Sequence, residues 1–316
     1  SHPAGLAASK LSPAADTAIL DLPGRTLVQS IDHLDAIVDD PYLLGRVAAV
    51  HALSDVVTVD ANVHSAQVIA TVPSGTEAIV ERDLKLLMSG LSEALEEEQC
   101  ALAGGHTVQA EALSLGVVVN AVLHEGDNHD ESGEISSVNP GDALILTQPL
   151  GVGTVFAGLM QGRTRGPDVG NALQYMLKSN RPAAEIARKA GARYMTDVTG
   201  FGLLGHLHRL LVGLQAGAQV HSAQVPLMEG ARQLAEQGVR SSLWPENRQV
   251  LDSVNVSAAL STSLLSLLCD PQTSGGLLAI VPEPGRADCL DWLQAAGYTG
   301  AAVIGVITPS TTLSVS

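Results

Sequence analysis

Met195-Thr196-Asp197-Val198-Thr199-Gly200-Phe201-Gly202-Leu203-Leu204-Gly205-His206 sets one carboxylate before three glycines, at 200, 202 and 205, and then enters the apolar stretch 207–212. A short strand ending at an aspartate, a glycine-rich turn and a helix start leave backbone N–H groups free at a helix N-terminus, where phosphate oxygens bind. An aspartate facing phosphate needs a cation between the two anions. Mg2+ is the ion usually held by one or two carboxylates plus phosphate oxygens. A plainer reading of the same residues is a junction in which Asp197 or Thr199 caps the helix.

Three more aspartates lie at ends of expected elements or on a helix: Asp16 before the first strand, Asp32 at the end of the second, and Asp55 on the first helix. Each alone reads as a cap or a surface acid. Together with Asp197 they form an oxygen-only set that suits Mg2+ rather than zinc. Gly104-Gly105, followed by His106, is a second glycine turn able to approach a ligand closely. ATP is the ligand that calls for such a set.

The elements that position these residues alternate between strand and helix. Strands are expected over 17–20 and 26–31, then a helix started by Asp39-Asp40-Pro41, with Asp40 as N-cap, and reaching Asp55. A strand over 63–72, an amphipathic helix over 76–98 and an apolar strand over 113–123 follow, the acidic run 96–98 reading as solvated surface. Residues 1–13 read as a flexible arm, 14–124 as one unit, 125–140 as a linker with solvated histidines His124 and His129 nearby, and 141–316 as a second unit. That unit offers strands over 143–146, 192–195, 277–281 and 302–307, with helices between. The pattern is α/β in two domains.

Length and composition agree with this. A chain of 316 residues suits two cores, and with 46% hydrophobic but only 3% aromatic residues those cores are aliphatic. A formal net charge of -16 argues against nucleic acid as a partner. There is no apolar run of eighteen residues and no basic-then-apolar start, so neither a membrane span nor a signal peptide is expected, and the cytoplasm is the expected location. Cys100, Cys269 and Cys289 lack both disulfide and zinc spacing.

Asp16-Thr17-Ala18, Ile31-Asp32, Val38-Asp39-Asp40-Pro41-Tyr42 with Gly45-Arg46 and Leu53-Ser54-Asp55, Ala103 to His106, Leu146 to Gly151, Thr196 to His206, and Asp270-Pro271-Gln272-Thr273-Ser274-Gly275-Gly276 together resemble selenophosphate synthetase, from about residue 14 onward. The resemblance implies a two-domain aminoimidazole ribonucleotide synthetase-like fold. Its N-terminal domains would pair as a dimeric β-barrel, with ATP along the shared cleft, beside a C-terminal α/β domain. It implies a homodimer that converts ATP, selenide and water to selenophosphate, AMP and orthophosphate, and leaves room for a selenium-delivery protein. Asp16, Asp55 and Asp197 match the family's magnesium aspartates, Asp32 an aspartate of the nucleotide and metal cluster, and Gly104, Gly105 and His106 a nucleotide-contacting turn. Carboxylate-held Mg2+ supplies the positioning and charge neutralisation that phosphoryl transfer needs.

The chain departs from that family in four places. The family's N-terminal loop carries a cysteine or selenocysteine and a catalytic lysine, whereas here no cysteine precedes Cys100 and Lys10 is the nearest match to the lysine. The segment between that loop and the first strand is short. Gln148 replaces a lysine, and Val59-Asp60 stands where a small Met-Gly or Gly-Gly turn is usual. A rearranged N-terminus or a paralogue without the nucleophile would both account for the first two. Two other functions therefore stay open: a non-catalytic nucleotide-binding paralogue, and an ATP enzyme of the same superfamily with another substrate, which the block 270–276 disfavours.

Overall fold

The computed structural model describes residues 17–123 and 138–316. The chain divides into two compact units, Ser1–Glu131 and Ser132–Ser316. Lys10, Asp16, His124 and His129 lie outside the described residues, as does most of the expected linker.

The first unit contains β1 (Ala18–Leu22), β2 (Arg25–Asp35), α1 (Pro41–Thr58), β3 (Ala61–Pro73), α2 (Glu77–Glu97), β4 (Ala101–Ala110) and β5 (Ser114–Leu123). Its strands form one sheet in the order β1-β2-β5-β3-β4, antiparallel except for the β3–β4 pair. Helix α1 starts as its sequence requires: Asp40 accepts hydrogen bonds from the backbone N–H groups of Tyr42 (2.9 Å) and Leu43 (3.1 Å), and Pro41 opens the helix. Its end explains one departure. Asp60, just past the C-cap Val59, has φ +58°, the left-handed conformation glycine adopts without strain and aspartate tolerates better than most residues.

Helix α1 is buried on nearly every side, because it packs on β2, β5 and β3 and is covered by α2. The two helices meet backbone to backbone. A Cβ at Gly45 would stand 2.1 Å from the Leu87 carbonyl oxygen, and one at Gly90 2.0 Å from that of Tyr42. Beside this contact, Arg46 on α1 pairs with Glu93 and Glu97 on α2, each at 2.8 Å.

The second unit contains β6 (Ala143–Leu146), α3 (Val152–Met160), α4 (Gly166–Met176), α5 (Arg181–Lys189), β7 (Tyr194–Asp197), α6 (Gly202–Leu214), β8 (Gly217–Val220), α7 (Ala231–Glu236), α8 (Trp244–Asn247), β9 (Val254–Val256), α9 (Thr262–Leu268), β10 (Leu277–Val281), α10 (Arg286–Ala295), β11 (Ala302–Thr308) and β12 (Leu313–Val315). Its sheet runs β7-β10-β6-β11-β8-β12-β9, with β12 parallel to both neighbours and the other pairs antiparallel. Leu203, Leu204, Leu207, Leu210 and Leu211 put one face of α6 into an aliphatic core with Leu144, Leu146, Leu278 and Ile280.

Three expectations change. The Gly104-Gly105 turn is strand: both glycines and His106 lie inside β4, where a Cβ at Gly105 would stand 2.3 Å from the Val68 carbonyl oxygen. The glycines serve a close strand approach. Asp32 lies within β2, three residues before its end, and Asp197 is the last residue of β7, a strand shifted two residues from the expected 192–195.

Candidate active site

Strand alternation and helix periodicity build a compact polar group on the first unit. Ser30 and Asp32 are two residues apart on β2 and share its inward face, while His51 and Asp55 are four apart and share one face of α1. The Ser30 hydroxyl donates to Asp55 Oδ2, and Asp32 Oδ1 lies 3.6 Å from His51 Nε2. Asp55 is buried, and burial lowers the His51 pKa while the Asp32 carboxylate raises it, the net shift being downward. Asp32 Oδ2 is also buried and has no hydrogen-bond partner among the described residues. A buried carboxylate oxygen without a donor is costly unless a cation satisfies it, and a hard divalent ion such as Mg2+ is the kind that takes carboxylate oxygens, so Asp32 Oδ2 is where such an ion would fit. Ser30 and His51 carry no motif of their own in the sequence; their one signal there is the face-sharing spacing from the two aspartates.

The structure does not bring Gly104, Gly105 and His106 beside this group within one protomer. β4 is the third strand over from β2, about 14 Å away at the usual strand spacing. All ten β4 residues are exposed along that edge of the sheet.

On the second unit, Asp197 is buried at the end of β7 and the chain turns through 198–201 into α6. Neither Asp197 nor Thr199 caps the helix; Phe201 is the N-cap and makes no side-chain capping bond. The loop is clamped from outside instead. Val198 N–H donates to the Gly276 carbonyl (2.9 Å), Gln272 N–H to that of Thr199 (3.0 Å), and the Asn247 side chain to those of Gly200 (2.9 Å) and Cys269 (3.0 Å).

The block 270–276 is a structural lock. Asp270 accepts from the backbone N–H and hydroxyl of Thr154, both at 2.9 Å, and Gln272 Oε1 from the N–H groups of Gly151 (3.0 Å) and Val152 (3.1 Å). The N-terminus of α3 is therefore filled by this chain's own side chains. Burial pushes the Asp270 carboxyl up to about 7, with the Thr154, Gln272 and Gly153 donors pulling the other way. Gln148 is buried, with its Nε2 3.4 Å from Asn180 Oδ1. The three cysteines are all buried; burial raises Cys269 to about 12 and Cys289 to about 11.

Comparison with known proteins matches the model for AIR synthase related protein, N-terminal domain, to residues 14–123, and that for AIR synthase related protein, C-terminal domain, to 139–316. Selenide, water dikinase 2 of Peptoclostridium acidaminophilum is 31% identical over 281 residues, covering 89% of this chain and 79% of that protein. The selenide, water dikinase of Geobacter metallireducens is 36% identical over 288 residues, covering 90% and 82%. Among solved structures, the thiamine monophosphate kinase of Aquifex aeolicus shares the fold, with 16% identity, a TM-score of 0.67 and coverage of 95% of this chain and 90% of that one. No helix among the described residues is long and apolar enough to cross a membrane. The two-domain AIR synthase-like fold, the matched residues and the identity to these relatives place the chain in the selenide, water dikinase family of phosphotransferases.

Proposed function

We propose that this protein makes selenophosphate from ATP, selenide and water, releasing AMP and orthophosphate, with Asp16, Asp32, Asp55 and Asp197 serving Mg2+ and Asp16, Asp32, Asp55, Gly104, Gly105 and His106 serving the nucleotide. The observation that carries the reading is the Ser30, Asp32, His51 and Asp55 group, in which Asp32 Oδ2, without a hydrogen-bond partner among the described residues, suits a cation. Bound Mg2+ would neutralise phosphate charge. The chain's own residues would orient it: Ser30 holds Asp55 by a hydrogen bond, and His51 stands 3.6 Å from Asp32 Oδ1, on the side away from the Oδ2 left for the ion. Lys10 is the proposed catalytic cation toward the phosphates. The exposed edge strand β4, with Gly104, Gly105 and His106, supports pairing of two copies. Exposed Ile31, Ile69, Leu102 and Val108 give the sheet an apolar surface to bury in such a homodimer. The buried free thiols accord with a cytoplasmic location.

A second reading is a nucleotide-binding protein without selenium chemistry, favoured by the burial of all three cysteines. Anaerobic AMP formation with and without selenide, followed by phosphorus NMR, separates the two. Selenide-dependent AMP together with selenophosphate supports the first. ATP binding in Mg2+ with neither product supports the second.

A further inference from the structure

We propose that His206 is a positioning residue: one buried imidazole sets the backbone on both sides of Asp197. This rests on the reading of Asp197 as a site residue. His206 lies in the second turn of α6, is 3% exposed, and reaches back to the loop that precedes its own helix. The Thr199 N–H donates to His206 Nε2 at 3.1 Å, and the Thr199 hydroxyl is also 3.1 Å from that atom. An N–H donor at Nε2 requires a lone pair there, so the ring is neutral with its proton on Nδ1. Nδ1 is then the donor toward Thr196 Oγ1, at 3.4 Å, and the Thr196 hydroxyl donates in turn to the Asp197 carbonyl at 3.1 Å. Residues 196 and 199, flanking Asp197, are tied to a single ring.

The surroundings keep that ring in place. Phe201 packs against it with centroids 5.6 Å apart, and a Cβ at position 205 would stand 2.7 Å from Phe201 Cβ, so Gly205 makes room for this cover. The Gly276, Gln272 and Asn247 contacts hold the loop from outside, whereas His206 reaches it from the helix that the loop feeds. A ligand carboxylate is effective only when its own backbone is held, and supporting groups of this kind typically carry 10- to 100-fold in metal affinity.

The test uses the full chain with ATP and MgCl2. Nitrogen-15 imidazole shifts of the metal-free protein should show a neutral His206 with the proton on Nδ1, and the Thr199 amide should be protected from hydrogen exchange. His206→Ala should remove that protection and raise the Mg2+ concentration for half-maximal ATP binding about tenfold. His206→Gln, whose side chain can accept from Thr199 and donate to Thr196, should restore most of the affinity. A proton on Nε2, a His206→Ala protein that folds and binds Mg2+ and ATP as the wild type does, or a glutamine variant no better than alanine would each overturn the proposal. If the alanine variant does not fold, the wild-type shifts and the glutamine variant still decide. Asp197→Asn is the separate control. Unchanged Mg2+ dependence there refutes the site reading of Asp197, while the tautomer and the Thr199 exchange still report on the loop.

Discussion

Asp32 Oδ1 and His51 Nε2 stand 3.6 Å apart across the contact of β2 with α1, next to the hydrogen bond from Ser30 to Asp55. The strand and the helix thus each contribute one carboxylate and one neutral partner. Asp32 Oδ2, the other oxygen of that carboxylate, has no hydrogen-bond partner among the described residues.

Asp32→Asn and Asp55→Ala should each raise the Mg2+ concentration needed for ATP binding at least tenfold, read by isothermal titration calorimetry at fixed ATP. His51→Asn should have a smaller effect in the same direction, since it removes an orienting group and no ligand. Unchanged Mg2+ dependence in both aspartate variants would dismiss this group as a metal site.

Asp60→Gly should raise stability by up to about 1 kcal/mol, because the φ of +58° strains any residue with a Cβ. Urea unfolding measures it. A loss of stability would show that the aspartate side chain contributes more than its backbone strain costs.

Much of the first unit was legible because its signals are local. Asp40 and Pro41 announce α1, and the apolar period of 76–98 announces α2, observed at Glu77–Glu97. The strand at Gly104 was not legible: two adjacent glycines read as a turn, and only pairing with β3, a tertiary fact, makes them strand. Asp32, Asp55 and Asp197 are candidates by residue type alone, whereas Ser30, His51 and His206 beside them are not, since a side chain acting on a neighbour carries no signature until the fold pairs them. The short strands Val254–Val256 and Leu313–Val315 were missed because three residues hold too little pattern.

Asp270 should make stability fall as pH rises from about 4 to about 7. Its carboxyl titrates near 7 in the fold and near 3.8 when exposed, so the folded chain holds the extra proton in that window. The loss across the window is at most roughly 4 kcal/mol. Urea unfolding at pH 5 and pH 8 should show this fall in the wild type and a flatter profile in Asp270→Asn. Parallel profiles would contradict it.

The cysteines should be inert in the native state. With Cys269 near 12, its thiolate fraction at pH 8 is about one in ten thousand, and all three side chains are covered. Ellman's reagent should therefore find essentially no fast thiol until denaturant is added, when three react. A native thiol that reacts within seconds would reopen a cysteine route for selenium.

Gly45→Ala and Gly90→Ala should each destabilise the chain by about 3 kcal/mol, since the new methyl group meets a backbone carbonyl. Gly170→Ala is the counterpart: on the exposed side of α4, where an added Cβ meets open space, it should gain about 0.5–1 kcal/mol. Equal effects at the three positions, by urea unfolding, would rule out the close contact.

The glycine contact between α1 and α2 has a meaning for inheritance. Because main chain touches main chain there, no compensating side-chain change is available: a substitution at 45 cannot be rescued by trimming 87, nor one at 90 by trimming 42. A substitution on the solvent side of α2 leaves this seam alone, whereas one at 45 or 90 must move the main chain, and α1 carries His51 and Asp55 on the far side of that seam. The spacing that aligns the two carboxylates is thereby guarded by two residues that have no side chain at all.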